Sequence, residues 1–197
     1  MRCNGGARRT TGLETARFER LTAHLVDATG PYAGMDRPVS DRKSEASMAS
    51  AHEGTATTHR TTFSRTTSVQ RAISAEPATI WSLLTTAAAY PQWNSTVLSL
   101  DGAIRQGGRI RLVSALAPER PFTLRIKQCE PPARLVWGDA MGTRTFSLSP
   151  AGPGTTLFRM TERIGGPLFP LFAGKIPDFD DSFTRFAADL KTAAEAS

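Results

Sequence analysis

From residue 61 to the C-terminus the chain predicts one α+β domain, a curved antiparallel sheet of about seven strands wrapped around a long final helix, with two short helices after the first strand. Two observations carry this. Between residues 97 and 164, short segments alternate apolar and polar side chains and are separated by the turn clusters DGAIRQGG, APERP, EPPA, GDAMG and SPAGPG. The closing segment, PDFDDSFTRFAADLKTAAEA, instead places Phe179, Phe183, Phe186 and Leu190 on one helical face. Only the concave face of the sheet remains to bury that stripe.

Residues 1–60 are rich in Gly, Ala, Ser, Thr and Arg, and their one apolar cluster, Leu13, Phe18, Leu21, Leu25 and Val26, has helical spacing. The stretch from Gly30 to His59 buries too little apolar surface to offset the entropy of ordering. Residues 1–60 are therefore expected to be a disordered extension, with Met35 and Met48 as candidate starts.

FSRTTSVQRAI, from Phe63, reads as the first strand, with Val69 and Ile73 separated by polar positions. Pro77 suits a first helical turn, where its missing N–H is not needed, and Ile80, Leu83 and Leu84 supply the stripe of a short helix. A second brief helix or turn is expected around Tyr90–Asn94, because Pro91 disfavours continuation through Tyr90. Strands are then expected at Val97–Leu100, Arg109–Leu116, Phe122–Cys129, Leu135–Gly138, Thr143–Leu148 and Thr155–Ile164. Alternation turns Ile110 and Leu112, Phe122, Leu124 and Ile126, Leu135 and Trp137, Phe146 and Leu148, and Phe158, Met160 and Ile164 inward. Arg109, Arg111, Arg125, Lys127, Ser147 and Arg159 face water. The last helix, from Pro177 with Asp178, Asp180 and Asp181 in its first turn, spans about 18 residues or roughly 27 Å.

Composition narrows the function classes. The chain is 40% hydrophobic and 21% charged, ordinary for a globular protein. No apolar run approaches the roughly 20 residues of a spanning helix, so stable membrane insertion is not expected. The N-terminus has no apolar stretch of a secretory signal, and Cys3 and Cys129 read as free thiols, which points to the cytoplasm. The formal charge of +6 is spread out: residues 1–60 hold nine Lys/Arg against seven Asp/Glu, leaving 24 − 9 = 15 against 18 − 7 = 11. Arginines alternate singly along predicted strands, as in GRIRL and FTLRIK, without the basic, aromatic-laced patch of a nucleic-acid binder. There is no phosphate loop, no HExxH and no metal-ligand spacing, so neither a cofactor nor a metal is expected. His24, His52 and His59 all fall in the expected extension, which leaves the domain without histidine catalysis.

ISAEPATIWSLLTTAAAYPQWNSTV resembles the START-like superfamily (SRPBCC). RLVW followed by GTRTFSLSPAGPGTTLFRMTERIGGPLFPLF resembles its polyketide cyclase/dehydrase and lipid-transport-like branch. Together they cover about residues 63–197. The resemblance implies a helix-grip fold around a hydrophobic ligand and is specific for fold rather than activity. At two positions where it implies polar imidazoles stand Arg144 and Met160.

If the hairpin around Ser149–Gly154 closes symmetrically, Phe146 pairs with Phe158 and Arg144 with Met160, which sets Glu162 diagonally from Arg144 on the inward face. That pair reads either as a structural ion pair near the sheet edge or as the polar anchor of an apolar pocket. The candidate ligand-binding residues are Trp93, Ile110, Leu112, Leu124, Trp137, Arg144, Phe146, Phe158, Met160, Glu162, Phe183 and Phe186. Phe169 and Phe172, in GGPLFPLFAGKIP, join them as plugs of a loop or mobile lid. Three functions follow: a module enclosing a lipid, polyketide or isoprenoid-like molecule; a cyclase or dehydratase using Glu162 and Arg144, with Asp139 or a hydroxyl as further proton carriers; and a protein-interaction module of co-chaperone type. Oligomeric state is not readable from the sequence.

Overall fold

Eight strands form one antiparallel sheet in a computed structural model of the chain, which describes residues 53–197, in the spatial order β1-β2-β8-β7-β6-β5-β4-β3. They are β1 (Thr57–Thr61), β2 (Ser64–Ile73), β3 (Val97–Gly102), β4 (Arg109–Ser114), β5 (Ala117–Glu130), β6 (Arg134–Gly138), β7 (Gly142–Gly152) and β8 (Thr155–Gly165). Four α-helices accompany them among the described residues: α1 (Pro77–Thr85), α2 (Tyr90–Trp93), α3 (Phe169–Phe172) and α4 (Asp180–Glu195). This is the expected helix-grip arrangement. No described helix is long and apolar enough to cross a membrane.

The inward positions are those that alternation selects. Ile110, Leu112, Ile126, Leu135, Trp137, Phe146, Leu148, Phe158 and Met160 are all buried, and α4 lays Phe183, Phe186 and Leu190 against them. The interior is aromatic around Phe186, whose ring centroid lies 5.5 Å from Trp93, 5.8 Å from Phe146, 6.3 Å from Phe158 and 6.4 Å from Tyr90. The Tyr90 hydroxyl donates to Leu84 O at 2.9 Å, so the phenol enters the core with its polar atom paired. Burial pushes its pKa up.

Four expectations need correction. The boundary at residue 61 falls inside a strand: β1 pairs with β2 from Thr57↔Ser68 to Thr61↔Ser64, Ala56 is buried, and its N–H donates to Thr184 Oγ1 on α4. These residues were missed because a polar edge strand, TTHRT, is stabilised by backbone pairing and needs no apolar pattern. His59 accordingly stands on β1, exposed; residues 1–52 of the expected extension, with Cys3, His24, His52 and the Leu13–Val26 cluster, lie outside the described residues. Second, β4 ends at Ser114 and β5 already begins at Ala117, so the expected turn APERP is strand; Pro118 and Pro121, without N–H groups, sit where the β4–β5 register shifts.

Third, the β7–β8 hairpin runs on to a tight turn at Pro153–Gly154, with Gly152 at φ 137° and Gly154 at φ 63°, and a register shift between Pro150 and Gly152. Phe146 therefore faces Met160, and Arg144 faces Glu162 directly rather than diagonally. A shift of two residues preserves the inward and outward faces. The pair also lies on central strands, not at an edge. Fourth, α4 starts at Asp180, not Pro177: Asp178 Oδ1 accepts the Asp180 N–H at 2.9 Å and Pro177 O is engaged by Arg65, which holds residues 177–179 outside the helix.

Replacing Phe186 by Asp removes roughly 1.5–3 kcal/mol of apolar burial and adds a buried charge, against a total stability of about 5–15 kcal/mol. The variant is expected in the insoluble fraction, whereas Arg159→Gln on the wet face yields soluble protein with unchanged circular dichroism; soluble, native-like Phe186→Asp would show that the helix face is assigned wrongly.

Candidate functional site

The aromatic packing does not extend along the whole of α4. Toward its N-terminal end, the inward face of β4–β8 and the segment Lys175–Phe179 enclose an open cavity of about 380 Å³. Its walls are mostly apolar, from Val97, Leu112, Phe122, Leu124, Trp137, Ile164, Ile176 and Phe179, with Thr96, Ser114 and Ser182 adding hydroxyls. Leu116 and Met141, both exposed, stand at its margin with Arg120, Asp139 and Lys175.

Among these walls lies the Arg144–Glu162 ion pair. Arg144 Nε donates to Glu162 Oε2 at 2.8 Å, and Nη2 donates to the same oxygen. The side chains are 18% and 16% exposed. The guanidinium lies over the Phe183 ring, 4.9 Å from its centroid, a cation–π contact that fixes its plane against α4. A glycine completes the same region. A β-carbon at Gly138 would stand 2.1 Å from Gly142 O, so the β6–β7 turn at the cavity margin closes only with glycine there.

Arg65 shapes the opposite wall. It is only 4% exposed, and its Nη2 donates to Pro177 O at 2.7 Å and Nη1 to Ile176 O at 3.4 Å, with the guanidinium 4.5 Å from the Phe179 centroid. Desolvation lowers its pKa. Ile176, Pro177 and Phe179 all line the cavity, so Arg65 on β2 holds that wall without lining it.

Of the predicted candidates, Leu112, Leu124, Trp137, Arg144 and Glu162 meet at the cavity. Trp93, Ile110, Phe146, Phe158, Met160 and Phe186 do not, because they fill the solid half of the core; Phe183 underlies Arg144. Phe169 and Phe172 are not among the lining residues. Their rings pack edge-to-face at 5.6 Å on α3, while Leu168 and Leu171 are exposed. Sequence reasoning missed Ile176, Pro177, Phe179 and Arg65 as wall-formers. An inward arginine on β2 was legible from parity with Val69 and Ile73; the carbonyls it would meet were not.

The model of the family described as polyketide cyclase / dehydrase and lipid transport matches residues 64–195. No curated protein matches the chain. A conserved protein of unknown function from Enterococcus faecalis superposes with a TM-score of 0.55 at 20% identity, over 77% of this chain and 84% of that one. A Rhodobacter sphaeroides protein does so at 0.55 and 23%, over 72% and 98%. A START superfamily protein from Mycobacterium smegmatis does so at 0.50 and 20%, over 66% and 97%. At these identities the likeness is one of fold.

Removing one partner of the ion pair leaves the other desolvated, at a cost of about 1–3 kcal/mol, while removing both relieves it. Urea melts of Arg144→Leu, Glu162→Leu and the double variant are expected to show each single change destabilising and the double variant more stable than the sum predicts; strict additivity would dissolve the pair as an energetic unit. Arg65→Met should raise amide exchange at Ile176 and Phe179, by about tenfold for each 1.4 kcal/mol of local stability lost, and leave β6–β8 protected. Unchanged exchange there would mean that other contacts hold the wall.

Proposed function

The chain belongs to the polyketide cyclase / dehydrase and lipid transport family, and from that premise we propose that it takes a hydrophobic small molecule, a lipid, polyketide or isoprenoid-like compound, into the cavity beside α4. The observation that carries this reading is the cavity itself. Its size, about 380 Å³, lies within the range of roughly 300–1,000 Å³ usual for small-molecule sites, and it joins mostly apolar walls to a hydrogen-bonded charged pair. Leu112, Leu124, Trp137, Ile164 and Ile176 would supply the apolar contact, and Arg144 with Glu162 the polar anchor. Water on apolar walls is readily displaced by an apolar ligand, at about 25 cal/mol per Å² of surface removed from water.

A second reading rests on the carboxylate of Glu162, which uses only one oxygen on Arg144. The other is in position to take a proton while Arg144 stabilises a developing oxyanion, as a cyclase or dehydratase would require. Binding precedes both readings.

Nile red is expected to bind the delipidated protein saturably, at one site, with energy transfer from the tryptophans. Leu124→Trp, which fills the cavity, should weaken that binding by about tenfold or more, on the scale of 1.4 kcal/mol per decade, with circular dichroism unchanged. No saturable binding, or equal binding to the filled variant, would remove the pocket reading in favour of an interaction surface that includes exposed Leu168 and Leu171.

A further inference from the structure

The Arg144–Glu162 pair is lopsided. Both hydrogen bonds end on Oε2 of Glu162. Among the described residues Arg144 Nη1 and Glu162 Oε1 have no hydrogen-bond partner, and neither is among the fully buried unpartnered atoms, which are Trp93 Nε1 and Asn94 Nδ2. Position 142 is glycine, and a β-carbon there would be in van der Waals contact with Oε1 at 3.6 Å, so the missing side chain leaves that side of the oxygen free. Arg144 and Glu162 both line the cavity, and they bring to it the uncommitted N–H groups of Nη1 beside an uncommitted carboxylate oxygen, within a pair whose charges already cancel.

Resting on the ligand-binding reading above, we infer that the ligand is a neutral amphiphile whose polar end both accepts and donates a hydrogen bond, such as a primary amide or a hydroxy-carbonyl group, and that free carboxylates are rejected. Such an end accepts from Nη1 and donates to Oε1, so both uncommitted atoms are paired when the ligand displaces water. A carboxylate has no proton for Oε1 and sets two anions against each other on one guanidinium, an arrangement that disfavours binding by like-charge repulsion. An alkylammonium meets the converse obstacle at Arg144. An ester accepts but does not donate, and leaves Oε1 desolvated and unpaired; sites built around such groups discriminate strongly against ligands that lack the matching donor.

The other cations do not change the balance. Arg65 is committed to the Ile176 and Pro177 carbonyls and does not line the cavity. Arg120 and Lys175 are exposed at the margin, where water and salt screen them.

The test is displacement of Nile red from delipidated full-length protein at neutral pH by four ligands of equal chain length: decanamide, decanoate, methyl decanoate and decylamine. Decanamide is expected to displace at a concentration about tenfold below decanoate, a difference of about 1.4 kcal/mol. Glu162→Gln uncovers the Arg144 charge and should reverse that order; Arg144→Gln should instead favour decylamine. Circular dichroism of both variants verifies folding, and if either fails to fold, the wild-type order decides alone. Decanoate binding as well as decanamide to the wild type, or an unaltered order in folded Glu162→Gln, overturns the inference. Nile red that binds and is blocked by Leu124→Trp, with no head-group preference in the series, sinks only this inference. Nile red that does not bind at all sinks the ligand-binding reading and this inference with it.

Discussion

Phe186 has to be dry, and the concave sheet is what dries it. Its ring meets Tyr90, Trp93, Phe146 and Phe158 at centroid separations of 5.5–6.4 Å, in stacked, tilted and edge-on geometries. Aromatic pairs of this kind contribute about 0.5–1.5 kcal/mol each beyond area burial. They cluster where α1 and α2 close over the sheet, which anchors α4 along the part that carries Phe186 and Leu190. Its other end meets the sheet through Phe183 under Arg144 and through hydrogen bonds to Ala56 and β1, and leaves the space in front of β4–β6 unfilled.

The unfilled space therefore falls toward Asp180, and the polar residues of the interior fall with it. Arg65, Thr67, Arg144 and Glu162 share the inward face of β2, β7 and β8 in mutually registered positions. Thr67 Oγ1 lies 2.6 Å from Thr58 Oγ1, which donates to Asp180 Oδ1, so the N-terminal turn of α4 is tied to β1 and β2 through hydroxyls. Polar groups survive in this half because each has a partner: carbonyls for Arg65, a carboxylate and an aromatic face for Arg144.

The pair reconciles two demands. An apolar cavity with no polar group would bind without orientation, and a lone charge there would be too costly to bury. Two charges that satisfy each other through one shared oxygen leave a directional donor and acceptor at little net field.

What the sequence by itself determined is the set of elements and their faces. Period-two alternation in Phe122–Ile126 and Phe158–Ile164, and the 3.6-residue stripe of Phe179, Phe183, Phe186 and Leu190, specify an antiparallel sheet around a final helix, because each pattern has one energetically acceptable orientation. The edge strand β1 was not legible, since Thr57–Thr61 is stabilised by backbone pairing rather than by apolar side chains. Nor was the two-residue advance of the β7–β8 hairpin, which preserves every face and so leaves no trace in the pattern. Only the tertiary structure decided that Leu112 and Leu124 border open space while Ile110 and Phe158 are packed solid. It alone set Arg65 beneath the Ile176–Pro177 carbonyls and Arg144 opposite Glu162. Local sequence encodes which way a side chain points; whether another atom stands there depends on sheet curvature and on where the helix docks, and both are set by residues far apart in the chain.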